Sequence, residues 1–424
     1  MRASRRLWFG GLLVVALVFA AGVTSAVGRT AHAARHAPQA RTASSYGCSD
    51  PHSFTRDPTN PLALPTAPGS NPLNGANFFV DGPAHGAAAG AVAQLLGLNP
   101  KNMPDTTSWA TFQQLINTKY AGMLAGNPGL ASQVHNLEKI ASEPAANRFS
   151  VFSQGGSAQG IYTQAIKIFC HNMQADPGSI PILTTYFLHP ATPSNHCPPP
   201  KMLRSIGPLF RQRVDAVARA TANRPAVYLV ELDGIGSSRC IQKVGSLKLW
   251  EADLRYEATK LASLPHTVVY LEGGYSDGNP VGYTAKVLNG AGVRHIQGFW
   301  TNDTHLNWTI NEIQWGEKIS RKTHGAHFVI NTAQNGNGPL RNSHPTKQGN
   351  EDNCNPPGRG LGPPPTTATG YPNVDAFLWS SPPGNSGGSC NGGTPSGTFW
   401  AARAIQLAAD ANDRLGPNFP SKPY

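Results

Sequence analysis

The sequence predicts an α/β fold in which about seven parallel strands form a barrel. Short apolar, β-branched runs alternate with segments of helical periodicity through most of the chain, and this alternation is typical of a parallel sheet covered by helices. Strands in this number close into a barrel more naturally than they stay open. The 424 residues suffice for a large core, although length alone allows either one barrel domain or two domains.

Each predicted strand is a short apolar run bounded by polar or glycine-containing residues. The runs are 148–153, 180–188, 226–232, 267–273, 294–300, 326–331 and 374–379. Helical segments are predicted at 130–144, 158–173, 207–221, 247–263, 284–290, 310–322 and 398–415. An alanine-rich segment behind Phe78 and Phe79 indicates one more helix. Residues 332–373 are rich in Gly and Pro without an apolar period, which is typical of a functional or disordered loop.

The amino-terminal region has the pattern of a secretion signal. Residues 1–41 carry six arginines and no acidic residue around an apolar run, with small residues near Ala26 and Ala33 as possible cleavage points. We therefore expect a signal peptide over 1–33, a Pro- and Ser-rich arm or linker over 34–75, and one barrel domain over 76–424 of a secreted, extracellular protein. The alternative is an uncleaved anchor, and only in that case would we expect a membrane partner.

Charge and composition argue against a nucleic-acid partner. Of the formal net charge of +11, six charges are arginines of residues 1–41, and only 13% of all residues are charged. The sequence has no basic run and no basic-aromatic stripe of the kind that polyanion binding requires. Abundant Gly, Asn, Ser, Thr and Pro suit ordered loops with a neutral polar surface, which is compatible with a carbohydrate ligand.

The six cysteines favour disulfides. Their number is even, and we expect the chain to be exported. Disulfides are then favoured over metal ligation or a free nucleophile, and no CxxC spacing competes with them. Composition alone leaves every pairing of the six open.

The strongest candidate for chemistry is the end of the strand predicted at 226–232. It delivers Glu231 and Asp233 to a glycine-containing turn, and loops after parallel strands are where α/β barrels keep their active sites. From this stretch alone, an ordinary junction whose acids are solvated or cap a helix is an open alternative. Polar or aromatic side chains also follow the later strands: Glu272, Tyr275, Asp277, Trp300, Asn302, Asp303, Asn331, Asn335, Asp375 and Trp379.

Acids, amides and indoles that share one face suit a sugar polymer. Carboxyl groups transfer protons at a glycosidic bond, amides hydrogen-bond hydroxyl groups, and aromatic faces stack on pyranose rings. Less specific alternatives are open, since Glu272 can cap the following turn and an indole at a strand end is as often part of the core. The residues that we expect to bind substrate are Tyr186, Trp300, Asn302, Asn335 and Trp379.

A series of linked motifs follows the predicted strands. In chain order they are VELDGIGSSRC, VVYLEGGYSDG, GFWTN followed by GEKIS, HFVINTAQNGNGP, CNPPGRGLGPPPTTATG and VDAFLWSSPPGNSGGSC. In this order and rough spacing they resemble glycoside hydrolase family 6, the secreted cellobiohydrolases and endoglucanases. The resemblance covers about residues 70–415 and implies a distorted α/β barrel of about seven strands, hydrolysis of β-1,4-glucan with inversion, and neither a metal nor an organic cofactor. We expect a monomer whose partner is a β-glucan polysaccharide or oligosaccharide.

On this resemblance, Asp233 is the general acid. The family's acid-proline-acid triplet corresponds to Glu231, Leu232 and Asp233 here. A general acid keeps its proton near neutral pH when burial or a neighbouring carboxylate raises its pKa, and Glu231 is the expected neighbour. The resemblance also implies the disulfides Cys197–Cys240 and Cys354–Cys390, which leaves Cys48 and Cys170 for a third bridge.

The chain departs from the family's pattern at positions that matter for catalysis. An aspartate that assists the acid precedes the first bridge in the family, whereas Asn195 and His196 precede Cys197 here. Family aspartates correspond to Glu272 and Asn331, an arginine to Gln334, and a stacking aromatic residue to Asn353. The lysine, glutamate and aspartate of the last loop, of which the aspartate is the usual candidate for the base, align with Ser381, Asn385 and Gly387.

An inverting hydrolase needs a base that activates water about 6.5–9.5 Å from the acid, and glycine cannot be that base. Three alternatives are open. Another side chain is the base, with Glu272, Asp277, Asp303 and His196 as candidates; or water is activated through a chain of groups; or hydrolysis is lost and the cleft binds glycan.

Overall fold

The structure is a computed structural model that describes residues 70–152, 156–188, 197–340 and 354–416. These residues belong to one compact unit of the chain, Thr42–Tyr424. The predicted signal peptide and nearly all of the predicted arm lie outside the described residues. So do four residues named above: Cys48, Asn195, His196 and Asn353.

Seven parallel strands form one sheet whose strand order follows the chain. They are β1 (Asn147–Ser150), β2 (Ile182–Tyr186), β3 (Ala226–Val230), β4 (Thr267–Glu272), β5 (Gly298–Thr301), β6 (His327–Asn331) and β7 (Val374–Leu378). Each strand pairs in parallel with the next one along the chain. The predicted α/β fold is confirmed, and each predicted strand overlaps an observed one.

The sheet curls until its two ends approach each other. The Ala146 backbone N donates to the Trp379 carbonyl oxygen at 2.8 Å, and the Thr184 hydroxyl donates to the Ser380 carbonyl oxygen at 2.9 Å. Within the described ranges, however, β1 and β7 do not pair as strands. The barrel is therefore distorted, with a seam between its first and last strands.

Helices cover the outer face of this sheet and flank its seam. They are α1 (Ala87–Leu95), α2 (Trp109–Lys119), α3 (Ala121–Ala125), α4 (Pro128–Ala141), α5 (Ala158–Ala175), α6 (Pro200–Thr221), α7 (Ser238–Lys243), α8 (Leu247–Ala262), α9 (Val281–Gly290), α10 (Thr309–Ser320) and α11 (Ala401–Ala409). The sequence did not predict α2, α3 or α7. In the part of the chain that the structure describes, no helix is both long and apolar enough to cross a bilayer.

Helix α6 begins seven residues before its predicted start. Pro200 occupies its first turn, where proline is tolerated because the first backbone N–H groups have no partner inside a helix. Pro208 lies inside the same helix. Because proline is a strong signal for a helix boundary, the sequence predicted a start beside Pro208. In the structure the helix continues through Pro208, and its packing outweighs the local preference of proline.

Three apolar clusters hold the fold together. The outer face of the sheet packs against α5, α6 and α8 to α10 around residues such as Phe210 and Trp250. The inner face is filled by side chains that include Leu229, Tyr270 and Trp300. Helices α1, α2, α4 and α11 pack together in the third cluster. Strand side chains alternate between the two faces of the sheet, so every second residue of a strand faces the barrel interior. A cleft opens at the end of this interior where the carboxyl ends of the strands lie.

Asp375 lies in the interior, near the amino end of β7, and not at the cleft. Its carboxylate accepts hydrogen bonds from the Tyr270 hydroxyl at 2.6 Å and from Gln297 Nε2 at 2.9 Å. His327 Nδ1 lies 2.7 Å from the other carboxylate oxygen. Asp375 is therefore a structural centre of the barrel interior.

Two disulfides fix loops that surround the cleft. Cys197–Cys240 ties the segment before α6 to α7, and Cys354–Cys390 ties the long Gly- and Pro-rich loop to the loop after β7. Both pairings implied by the resemblance are confirmed, whereas the pairing Cys48–Cys170 involves a residue outside the described ranges. Disulfides fit an oxidising, extracellular environment.

Candidate active site

A cleft of about 980 Å³ opens at the carboxyl ends of the strands. Its lining comes from β1, from β2, and from the loops after β3, β5, β6 and β7. One part of the lining, the acid wall, comprises Asp233, Asp303, Thr304 and His305. Another part, the amide wall, comprises Asn331, Gln334, Ser381, Asn385 and Gly387.

A sharp turn after β3 places Asp233 in the acid wall. Glu231 has φ +52° and Asp233 has φ +59°, a left-handed backbone that is uncommon for residues other than glycine. The Gly234 backbone N closes the turn by donating to the Glu231 carbonyl oxygen at 3.0 Å. The turn sends the two carboxyl groups in different directions, so that Asp233 lines the cleft while Glu231 is fully buried.

Asp303 is the carboxyl group beside Asp233. Its Oδ2 accepts a hydrogen bond from the Asp233 backbone N at 2.8 Å, and its Oδ1 accepts one from the Thr304 backbone N at 2.6 Å. Burial and the charge of Asp303 raise the pKa of Asp233 to about 7. Burial also raises the pKa of Asp303. Asp233 therefore keeps its proton in mildly acidic solution, as a general acid must.

Glu231 does not line the cleft. Its carboxylate accepts hydrogen bonds from the backbone N atoms of Phe187 at 2.6 Å and Leu188 at 3.1 Å. Burial raises its pKa to about 7, although these bonds act in the opposite direction. This placement corrects the expectation that Glu231 is the neighbour of Asp233, since the carboxyl group of Glu231 fixes the chain after β2 and Asp303 is the neighbour.

Glu272 also lies behind the cleft. Its Oε2 accepts hydrogen bonds from the backbone N atoms of Ile235 at 2.5 Å and Gly236 at 2.9 Å, and its Oε1 accepts one from Gly274. Burial and the charge of Asp303 raise its pKa well above the ordinary value. The expectation that Glu272 takes part in catalysis is corrected, because it is fully buried and binds the turns after β3 and β4 to each other.

His305 and Asp277 form a pair that the sequence did not single out. His305 lines the cleft, and its Nδ1 lies 2.9 Å from Asp277 Oδ1. Burial raises the pKa of Asp277, but hydrogen bonds from His305 and Asn307 together hold it below the ordinary value. Because an ionised carboxylate only accepts, Nδ1 of His305 carries the hydrogen. Four polar residues in succession after β5, from Asn302 to His305, were the available signal, but nothing in the sequence linked His305 to Asp277.

The predicted substrate-binding amides instead hold backbone. Asn302 donates from Nδ2 to the carbonyl oxygens of Asn307 at 3.2 Å and Asn331 at 3.0 Å. Asn335 donates to the Asn307 carbonyl oxygen at 2.8 Å. Both side chains are buried. The expectation that they contact a sugar is corrected, since they join the loop after β5 to the loop after β6.

The two indoles predicted to stack on sugar are part of the core. Trp300 is 0% exposed and Trp379 is 1% exposed. Trp300 packs inside the barrel and donates from its indole N–H to the Val230 carbonyl oxygen at 3.2 Å. Trp379 packs in the helical cluster beside the seam. This corrects the stacking prediction, because neither ring reaches the cleft.

Tyr186 and Phe152 are aromatic residues that line the cleft. Tyr186, a predicted substrate-binding residue, lies at the end of β2, and its ring centroid is 6.1 Å from that of Phe152. The side chain of Phe152 is 57% exposed, whereas most phenylalanine side chains are buried in a core. The sequence missed Phe152 because it belongs to an apolar run that reads as strand interior.

The amide wall carries no carboxylate. Ser381, Asn385 and Gly387, which align with the family's lysine, glutamate and aspartate, all line the cleft. Gly387 is held by its backbone N, which donates to Asn355 Oδ1 at 2.8 Å. The position expected to bear a base is therefore in the cleft but has no side chain.

Comparisons with known proteins agree with this geometry. A family profile described as glycosyl hydrolases family 6 matches residues 208–411. Endoglucanase A of Cellulomonas fimi is 30% identical over 279 residues, which are 65% of this chain and 56% of that protein. Endoglucanase 1 of Streptomyces halstedii is 27% identical over 67% of this chain and 84% of its own length. The chain spans about half the length of the Cellulomonas fimi protein and of endoglucanase A of Thermobispora bispora, which it covers to 50%.

A solved structure shares the fold. The endoglucanase Cel6 from Mycobacterium tuberculosis, in complex with methyl-cellobiosyl-4-deoxy-4-thio-beta-D-cellobioside, superposes with a TM-score of 0.62 at 27% identity. The match covers 80% of this chain and 99% of that one. With the seven-stranded distorted barrel and the two implied disulfides present, the chain is similar to glycoside hydrolase family 6 both in sequence and in fold.

Proposed function

We propose that the protein is a secreted glycosidase of the cellulase type that hydrolyses β-1,4-glucosidic bonds with inversion. The observation that carries the proposal is Asp233, a carboxyl group in the cleft whose pKa is raised to about 7. It has the proton and the position that a general acid needs. The endoglucanases among its relatives, and the thio-oligosaccharide bound to the Mycobacterium tuberculosis enzyme, support a β-glucan substrate.

In this mechanism Asp233 donates its proton to the glycosidic oxygen while the bond from that oxygen to the anomeric carbon breaks. Water attacks the anomeric carbon from the opposite face of the ring and loses a proton to a base, so the new reducing end has the α configuration. Asp303 keeps Asp233 protonated before the reaction, because two adjacent carboxyl groups do not both ionise readily.

For the base, we propose His305 oriented by Asp277. Glu272 is buried, and its oxygens accept backbone hydrogen bonds. Both oxygens of Asp303 accept backbone hydrogen bonds, from Asp233 and from Thr304, and its charge raises the pKa of the acid. His305 lines the cleft with a carboxylate behind its Nδ1, the arrangement by which a catalytic histidine is held in one tautomer.

The test follows reducing ends released from carboxymethylcellulose, mixed-linkage glucan and cello-oligosaccharides. Asp233→Asn serves as the inactive comparison and Asp215→Asn, an acid of α6 outside the cleft, as the matched control. We expect release by the parent protein and by Asp215→Asn, with an α-anomeric product visible by NMR. Release at equal rates by the parent and by Asp233→Asn would refute the role of Asp233.

A second candidate is a binding protein that has lost hydrolysis. The absence of any side chain at Gly387 in the amide wall favours it. Calorimetry on cello-oligosaccharides decides between the two, because a binding protein would retain affinity while releasing nothing above the Asp233→Asn level.

A further inference from the structure

An arginine projects from the first strand into the cleft. In β1, Phe149 packs against the helices, whereas Arg148 and Ser150 on either side of it line the cleft, as the alternation of strand side chains requires. Among the described residues that line the cleft, Arg148 is the sole lysine or arginine. Its position beside Tyr186 and Asp233 makes it part of the substrate-binding surface.

Arg148 has no anionic partner within the described part of the protein. Its Nε is buried without a hydrogen-bond acceptor, and none of the ion pairs formed by described residues includes it. Burial lowers the pKa of Arg148, while the charges of Asp303 and Asp233 raise it. A guanidinium stays protonated in proteins. The cleft therefore contains a partly desolvated positive charge that has no anionic partner among the described residues, which is unfavourable unless a ligand supplies one.

The neighbouring groups do not neutralise this charge. Asp233 keeps its proton below about pH 7, and both oxygens of Asp303 accept hydrogen bonds from the backbone of the acid wall. The amide wall is formally uncharged. An anionic group that enters the cleft therefore meets the positive charge of Arg148, and it is repelled by Asp303 and by Asp277 behind His305.

We propose that the cleft recognises a carboxylate on its glycan, and that the preferred substrate is a β-glucan containing glucuronosyl units. The planar fork of a guanidinium matches a carboxylate through two parallel N–H···O hydrogen bonds. A glucuronosyl unit differs from a glucosyl unit by a carboxylate at C6. It therefore keeps the β-linked backbone of the polymer and adds an anionic partner for Arg148. The proposal rests on the proposed function, because it takes the glucan-binding cleft as given.

The experiment compares two matched ligands by calorimetry at pH 6 and low salt. They are cello-oligosaccharides and the same oligosaccharides oxidised to carboxylates at C6. An Asp233→Asn background prevents turnover and preserves the neutral state of the acid. We expect the carboxylated ligand to bind about tenfold tighter, as charge-assisted hydrogen bonds to a guanidinium allow, and the preference to shrink as salt is added.

Three further variants test whether Arg148 is responsible for the preference for the carboxylated ligand. Arg148→Gln should bind both ligands about equally, and Arg148→Lys should keep part of the preference because it keeps the charge without the fork. Arg219→Gln removes an arginine of α6 that lies over Tyr162 outside the cleft, and it should keep the full preference. Thermal unfolding checks that each variant is folded, and the salt dependence of the parent provides the test if Arg148→Gln is not.

Equal affinity of the parent for the two ligands would overturn this inference, as would a preference that survives Arg148→Gln. If the neutral ligand binds and no preference is seen, the inference alone fails. If neither ligand binds, the glucan-binding cleft of the proposed function fails with it.

Discussion

The acid wall and the amide wall of the cleft differ in how they are built. In the acid wall, Asp233 and Asp303 are positioned by backbone hydrogen bonds and backed by the buried carboxyl groups of Glu231 and Glu272. The amide wall has no carboxylate, and the Cys354–Cys390 disulfide ties its loop after β7 to the long loop before that strand. The carboxyl groups that line the cleft therefore lie in the wall that is positioned by hydrogen bonds between side chains and backbone. The amide wall is anchored by a disulfide instead.

The largest expected effect is on the acid wall itself. Asp233→Asn keeps the shape of the side chain but cannot donate a proton, and we expect kcat on β-glucan to fall by about 10²–10⁴, the usual contribution of a general acid. Initial-rate kinetics measures it, with Asp215→Asn as the control. A fall smaller than threefold would show that the acid wall does not carry the proton donor.

The next effect concerns the base. His305→Gln should lower kcat by about 10², and Asp277→Asn by less, because it removes the orienting group and not the base. Gly387→Asp should restore part of the loss in His305→Gln by placing a carboxylate on the amide wall. A Cβ at Gly387 would lie 3.3 Å from Cys354 Sγ, so a small adjustment makes room. Kinetics that are unchanged in His305→Gln would contradict the assignment.

The disulfide should matter for stability and for the amide wall. It spans a sequence separation of 36, and replacing both Cys354 and Cys390 by serine should cost about 3–4 kcal/mol of unfolding free energy on the loop-entropy estimate. Chemical denaturation measures this loss, and KM should rise because the amide wall loses its anchor. The corresponding pair of changes at Cys197 and Cys240 is the matched control: a similar loss of stability with a smaller change in KM would localise the effect to the amide wall.

The smallest effect is a shift in pH dependence. Asp303→Asn removes a negative charge that raises the pKa of Asp233, so the pKa of Asp233 falls and the acid loses its proton at lower pH. The alkaline limb of the kcat/KM profile should therefore move to lower pH. The move should be less than the whole rise from 3.8 to about 7, because burial is the larger cause. An alkaline limb that moves to higher pH would contradict this electrostatic coupling.

Much of the fold could be predicted because its signals are local. Strands such as β3 and β4 are largely apolar runs, and strands buried on both faces have this pattern in any parallel sheet. The helices α2, α3 and α7 were missed because they are short or only weakly amphipathic, so that packing stabilises them more than their own sequence does. The disulfide pairing came from the linked motifs, since cysteine spacing alone is compatible with every pairing.

The site was predictable only in part, because side-chain direction depends on the turns. Glu231 and Asp233 are two residues apart, and in an extended strand they would face the same way. Left-handed backbone at both residues breaks that rule and sends one carboxyl group inward. Trp300 and Trp379 lie at strand ends as predicted, yet the curl of the sheet and the helices beside its seam bury them.

By itself, the sequence determined the alternation of strands and helices, the placement of Asp233 at the end of β3, and the absence of a side chain at Gly387. These are properties of single segments or single residues. Tertiary structure alone decided that Asp303 is the neighbour of Asp233, that Asp277 lies behind His305, and that Arg148 enters the cleft with no anionic partner in the part of the chain that the structure describes. Each of these depends on loops from different strands meeting at one end of the sheet, which no local pattern specifies.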